Sequence, residues 1–473
     1  MYLSMADRKG GATDEPVEES AGTGIQAPVP VKATTRRSLR PFRLSPVILS
    51  LGVVSMLTDV SSESVAAILP LYLTGFLGLS TIAFGIIDGI NQGASALVRI
   101  AAGWASDRMG HPKRIAIAGY GLSMLARVGF LFAGGFWSIA GLIAGDRIGK
   151  GIRTAPRDAL ITMSAQPEHL ARHFGIHRML DNIGAALGPL LAFFILMLIP
   201  NGYATVFVVS LAFAVIGVVA LVLLVPDLRP GTWAGRNAGR QRAEVAADMP
   251  SGAAVAADMP SGAAAQRAEK ATRPALLVFR WSLFREPGLG RLLVAAGLLG
   301  LLTVGDGFIY LVLQDRDAFA VQWFPLLYVG TNVAFLLFAI PMGRLADRWG
   351  RGRVFVAGHA ALLVCYLLAA APLTGLGPTL ACLALLGIFY AATDGVLAAL
   401  ASRLAPAHLL ATGIGAAQTV VALSRMAASA LFGVLWFAVG PSTAMVIVSS
   451  ALAVAVAVSA VILRGATKQE AAA

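Results

Sequence analysis

Gly343-Arg-Leu-Ala-Asp347-Arg348-Trp-Gly350-Arg351-Gly-Arg353 and, earlier in the chain, Gly103-Trp-Ala-Ser-Asp107-Arg108-Met-Gly110-His-Pro-Lys113-Arg114 are two versions of one short polar stretch. Each is set between long apolar runs. Outward from the first copy the runs cover about 47–77, 81–105, 115–133, a fourth from about 136, a fifth ending near 199, and 203–225. Around the second copy they cover about 291–313, 323–341, 354–371, 378–400, 410–439 and 442–463. Each is long enough to cross a bilayer as a helix, which takes roughly 20 residues. Lipid offers no hydrogen-bond partners, so a spanning segment is a helix or part of a closed barrel, and continuous apolar runs without period-two alternation exclude the barrel. The expected fold is an all-α polytopic membrane protein with twelve transmembrane helices in two pseudo-symmetric six-helix halves, one polar stretch at the same place in each.

Composition agrees. Of 473 residues, 57% are hydrophobic and only 13% charged, too little polar surface for a soluble chain of this length. The net charge of +12 does not gather into a nucleic-acid patch but falls in alternate loops. Arg108, Lys113 and Arg114 lie in one such loop, and Arg344, Arg348, Arg351 and Arg353 in another. The intervening turns carry no Lys or Arg apart from Arg316, which stands between Asp315 and Asp317. This positive-inside pattern predicts an inner-membrane protein with both termini cytoplasmic. The expected domains are a disordered tail at 1–44, a first half at 45–226, a cytoplasmic linker at 227–289, a second half at 290–464 and a tail at 465–473. The linker repeats AADMPSGAA at 246–254 and 256–264, and the segment 273–285 reads either as a helix in the headgroup region or as an ordinary flank. Cys365 and Cys382, without a CxxC partner, read as small buried hydrophobes, and no metal or cofactor set stands out.

The polar stretches have a physical use. A glycine at a helix end lets a neighbour approach, an Asp faces the positive end of another helix, and the arginines pair with carboxylates or phosphates. Gly103, Asp107, Arg108 and Gly110, with Gly343, Asp347, Arg348, Gly350 and Arg351, therefore make a conformational latch. They resemble the loop signature of the major facilitator superfamily, the second copy closely, the first with Ala105 and His111-Pro112 at variant positions. Arg147-Ile-Gly-Lys150-Gly151-Ile-Arg153-Thr-Ala155 resembles the family's fourth-span motif, whose arginine is linked to proton coupling, though Lys150 and Arg153 make it more basic. Gly184-Ala-Ala-Leu-Gly188-Pro189 resembles the antiporter motif of the fifth span, ending here in Ala192-Phe193. Gly184, Gly188 and Pro189 read as a hinge or as plain small-residue packing.

Ionisable residues at bilayer depth are costly and face the bundle interior. Asp59 and Glu63 share one face of the first span, Asp88 lies in the second, Arg147 in the fourth, Asp181 in the fifth and Asp306 in the seventh. They read either as proton-coupling or substrate-facing groups, with Asp59, Glu63 and Asp306 as the cluster, or as buried ion pairs such as Arg147 with Asp181 or Asp59. Asp394 and Arg425 read first as structural. His169, His173 and His177 read as solvated or headgroup-facing. No GxxxxGK[ST] occurs and no nucleophile–base pair stands out, so neither an ATP-driven pump nor an enzyme is expected. The resemblance implies a secondary transporter working by alternating access, with protons, a small-molecule substrate and the lipid bilayer as partners and a monomeric state. Efflux by antiport of a drug-like solute or metabolite, neutral or cationic, is the leading expectation. Proton-coupled uptake, or a sensor or lipid-moving protein on the same fold, is the alternative.

Overall fold

The computed structural model describes residues 45–109, 111–165, 169–228, 287–405 and 410–470. The tail at 1–44, Gly110, the segment 229–286 with its repeat, and 471–473 lie outside the described residues, as do the side chains of 103–108 and so of Asp107 and Arg108.

The described chain is helical from end to end. In order it forms α1 (Pro46–Leu71), continued by a π turn (Tyr72–Phe76), α2 (Thr81–Met109), α3 (Pro112–Phe130), α4 (Phe136–Ser164), α5 (Leu170–Leu198) and α6 (Tyr203–Leu224). After the linker come α7 (Pro287–Leu301), α8 (Asp306–Asp317), α9 (Pro325–Trp349), α10 (Arg351–Ala370), α11 (Leu376–Leu404), α12 (Leu410–Val439) and α13 (Pro441–Glu470). Proline opens α1, α3, α9 and α13, where its missing N–H costs nothing. Between α9 and α10 Gly350 holds φ +92, a conformation that a side chain would strain, so the glycine of the polar stretch makes the turn possible. The last helix runs on to Glu470, beyond the boundary at 464 that hydropathy alone suggests.

Among the described residues, nine helical segments are long and apolar enough to cross a membrane. α4 falls outside that set because it carries Asp146, Arg147, Lys150, Arg153, Arg157 and Asp158 within one helix. The protein is built inside out. Large apolar side chains such as Phe132, Trp137, Leu198, Leu223, Leu337 and Phe437 are exposed, whereas Arg127, Asp146, Arg147, Arg153 and Asp88 are buried. An apolar exterior on this scale is a surface made for lipid.

The packing repeats itself. α1 lies against α5 and α6 as α7 lies against α12 and α13; α4 contacts α2 and α3 as α11 contacts α9 and α10. Contacts of α2 with α12 and of α5 with α9 join the two sets. Small residues permit the first seam: a Cβ on Gly85 would stand 2.5 Å from the Ser429 carbonyl oxygen, and one on Gly89 2.6 Å from that of Met426.

The sequence reading places one continuous span over 291–313, and the structure breaks it. α7 stops at Leu301 and α8 starts again at Asp306. The freed backbone is satisfied by Tyr366 of α10, whose hydroxyl accepts from the Val304 N–H at 2.7 Å and donates to the Leu302 carbonyl at 3.2 Å. Away from water an interrupted helix is tolerated only where such partners exist.

Candidate functional site

At the break the first turn of α8 meets a cavity of about 450 Å³, bounded by α1, α2, α8, α9, α11 and α12. Its ionisable lining is Glu63, Asp88, Asp306, Asp394 and Arg425; Asn91, Gln92, Thr331, Asn332 and three tyrosines supply neutral polar groups. Asp306 sits in the first turn of α8, where the helix dipole favours a negative charge, and its Oδ1 accepts from the Tyr390 hydroxyl at 2.7 Å. Asp88 Oδ2 accepts from the Ser429 hydroxyl at 2.6 Å, a bond that joins α2 to α12. Tyr310 donates to Thr331 at 2.7 Å. The Arg425 guanidinium lies 5.5 Å from the ring centres of both Phe389 and Tyr390. Phe84 of the cavity lining starts an aromatic stack that leads away from the cavity: Phe84 meets Phe308 at 4.6 Å, and Phe308 meets Phe432 at 5.0 Å and Trp436 at 5.7 Å. This stack belongs to the end of the bundle where α2 begins, since Thr81 also donates to the Gly433 carbonyl at 3.2 Å.

A second charged cluster surrounds α4. Asp146 takes Arg127 of α3 at 3.0 Å and Arg147 at 3.2 Å, all three buried. Arg153 donates to Ser123 at 2.9 Å, lies 4.6 Å from the Tyr120 ring centre and stands 3.9 Å from Asp59. Lys150 is 3.9 Å from both Asp59 and Glu63. One turn on, Arg157 reaches Asp181 at 3.6 Å, and His177 stands 3.7 Å from the same carboxylate.

The residues singled out by sequence are thus divided. Glu63, Asp88 and Asp306 share the cavity, whereas Asp59, Arg147 and Asp181 lie in the α4 cluster. Arg147 pairs with Asp146, not with Asp181 or Asp59 as the ion-pair alternative has it, because successive residues of α4 lie close enough to meet and Asp181 faces Arg157 a few turns away. Asp394 and Arg425, read first as structural, line the cavity. Tyr390, one helical turn before Asp394, escaped notice; a tyrosine and an aspartate four apart in an apolar run was the available signal. His177, buried against Asp181, is neither solvated nor at a headgroup.

Gly184 and Gly188 lie where α5 meets α1: a Cβ on Gly188 would stand 2.8 Å from Ser64 N and 2.9 Å from Val60 O. Pro189 follows within the same helix. In the second polar stretch Arg351 bonds Asp347 and the Ala399 carbonyl, both at 3.3 Å, so α9, α10 and α11 meet there. Gly343 has open space around it.

An apolar exterior, a charged interior and a cavity shared by early and late helices define a multi-pass membrane protein built around an internal site. The family model of the Major Facilitator Superfamily matches residues 51–330 and 307–472, and the chain belongs to that superfamily of transporters. An uncharacterized MFS-type transporter of Methanocaldococcus jannaschii is 27% identical over 408 residues, 83% of this chain and 89% of the relative. An uncharacterized protein of Mycobacterium tuberculosis is 31% identical over 170 residues, 36% of this chain and 41% of that one. Among solved structures, the nucleoside transporter NupG superposes with TM-score 0.67 at 14% identity, covering 88% of this chain and 99% of its own. A POT family transporter in complex with 5-aminolevulinic acid gives TM-score 0.68 at 14% identity, covering 90% and 96%. At these identities the two solved structures speak for the fold alone.

Proposed function

We propose that this chain is a secondary active transporter that exports a small organic solute, neutral or cationic, in exchange for protons by alternating access. The observation that carries the reading is the cavity, in which four carboxylates face one guanidinium and two of the acids are held by hydroxyl groups. An acid bonded to a hydroxyl gains or loses a proton without breaking an ion pair, which a coupling group must do. The excess of acids, with aromatic rings around them, suits a cationic or amphipathic solute through charge and cation–π attraction.

Two six-helix halves, 45–226 and 290–464, carry out the movement, with twelve spans if α7 and α8 count as one; the repeated packing supports this division. The chain sits in the inner membrane as a monomer with both ends in the cytoplasm, in keeping with its loop charges. The aromatic stack at the α2–α12 seam closes the outer end in this state. Asp347, Arg348, Gly350 and Arg351, with Gly103, Asp107, Arg108 and Gly110 in the first copy, latch the cytoplasmic end; the α1–α5 glycine contact is the sliding joint. The α4 cluster, Arg147 included, holds its helices in register and meets the cavity at Glu63 through Lys150.

Reconstitution in liposomes with an internal pH dye tests this. Proton movement opposite to a cationic probe such as ethidium or tetraphenylphosphonium, lost in Asp306→Asn, is the expected result. Movement in the same direction as a solute makes the protein an uptake system. Proton flux that persists in both Asp306→Asn and Asp88→Asn removes these acids from the coupling role.

A further inference from the structure

Behind the wall formed by Asp394 and Arg425 lies a second, much smaller chamber of about 20 Å³. Both residues line it as well as the main cavity. The other polar lining is Thr303 at the α7–α8 break, Thr393 of α11 and His359 of α10, which is buried. A polar space of this size takes one water, which needs two to four partners.

His359 Nδ1 lies 2.9 Å from the Phe355 carbonyl; a carbonyl only accepts, so Nδ1 carries the hydrogen and Nε2 is left as a bare acceptor. Packing against Phe355 and Phe389, with ring centres at 4.9 and 5.2 Å, holds the imidazole in that orientation. Thr303 and Thr393 donate their hydroxyl hydrogens to the carbonyls of Leu299 and Phe389, at 2.9 and 2.8 Å, so toward the chamber they too present only lone pairs. Arg425 Nε is a buried donor with no hydrogen-bond partner among the described residues. One unmatched donor therefore belongs to a residue that lines, with several residues able to accept, a volume that fits one water.

We propose that this chamber holds an ordered water that accepts from Arg425 Nε–H and donates to His359 Nε2, which makes His359 a second proton-accepting site of the transporter, linked to the cavity through Asp394. This rests on the proton-coupled reading of the cavity. When Asp394 is protonated, it gives its proton to the water as the water gives one to Nε2, leaving an aspartate and an imidazolium, with no bond made or broken except to hydrogen. The charged groups lining the chamber are Asp394 from α11 and Arg425 from α12; α7 and the break contribute only Thr303 as a polar group, and α13 contributes nothing. The guanidinium would resist a cation on His359 while Asp394 is protonated, and the new carboxylate would offset it. The proton therefore rests on His359 only as Asp394 gives it up.

Nitrogen NMR of the full chain in nanodiscs, with labelled histidine, tests the site without any substrate. The chain has 6 histidines, and the signal absent from His359→Gln identifies the right one. The expected spectrum shows the Nδ1–H form with Nε2 bonded to exchanging water, and its Nε2 shift moves in Asp394→Asn and in Thr393→Val. An Nε2–H form, or a shift that ignores both substitutions, overturns the proposal and leaves His359 a packing residue. In liposomes, His359→Gln should lower substrate-driven proton flux about a hundredfold or more, the lower end of the range for a lost acid–base group; unchanged flux also overturns it. If no solute drives protons in the wild type while the NMR result holds, the transport reading fails and the water site stands.

Discussion

The α4 cluster and the late-helix side of the cavity are both sets of buried charges, but they are satisfied in opposite ways. Around α4 the acids Asp59, Asp146 and Asp181 all lie within ion-pair reach of a cation. In the cavity Asp306 and Asp88 are held by the hydroxyls of Tyr390 and Ser429. An ion pair away from water tolerates no change in the charge of either partner. A hydroxyl-bonded carboxyl tolerates both forms, because the hydroxyl can donate to the anion or accept from the acid. The first arrangement fixes helices and the second leaves a site free to titrate. Asp59 and Glu63, which the sequence cannot separate, both stand 3.9 Å from Lys150, but Asp59 also faces Arg153 whereas Glu63 also opens to the cavity, so Glu63 is where the two regions meet.

The largest expected effect comes from breaking the first arrangement. Asp146→Ala strands Arg127 and Arg147 and should cost about 3–5 kcal/mol, seen as early thermal unfolding in detergent. Asp306→Asn should cost about 1 kcal/mol or less, since Tyr390 can still donate to the amide oxygen. If the two variants melt alike, the contrast between the regions fails. A middle effect comes from the seam that brings Asp88 into the cavity. Gly85→Val drives a side chain into the Ser429 carbonyl and should cost about 1–3 kcal/mol by overpacking, with weaker solute binding by the folded fraction. The smallest belongs to Arg351→Ala in the second polar stretch. Asp347 is 69% exposed there, so solvent screens the pair. Its loss should change stability by about 0–1 kcal/mol, fading in high salt, while the balance between inward and outward states, read by a distance probe across the cytoplasmic end, shifts more.

Sequence by itself determined that the chain is a helical membrane protein of a duplicated kind. Apolar runs of bilayer length, loop charges that alternate, and a polar stretch that occurs twice are properties of linear order, set by lipid acting on every residue in turn. It also marked the acids and arginines that bilayer depth makes costly. Which acid meets which cation depended on helix rotation and on neighbours far apart in the chain, and only the tertiary structure decided it. The break at 302–305 is of the same sort, since its tolerance rests on Tyr366 arriving from α10. So is the meeting of His359, Asp394 and Arg425, which come from three helices. Hydropathy is summed along the chain, whereas a buried polar group is settled by the single partner that reaches it across the bundle.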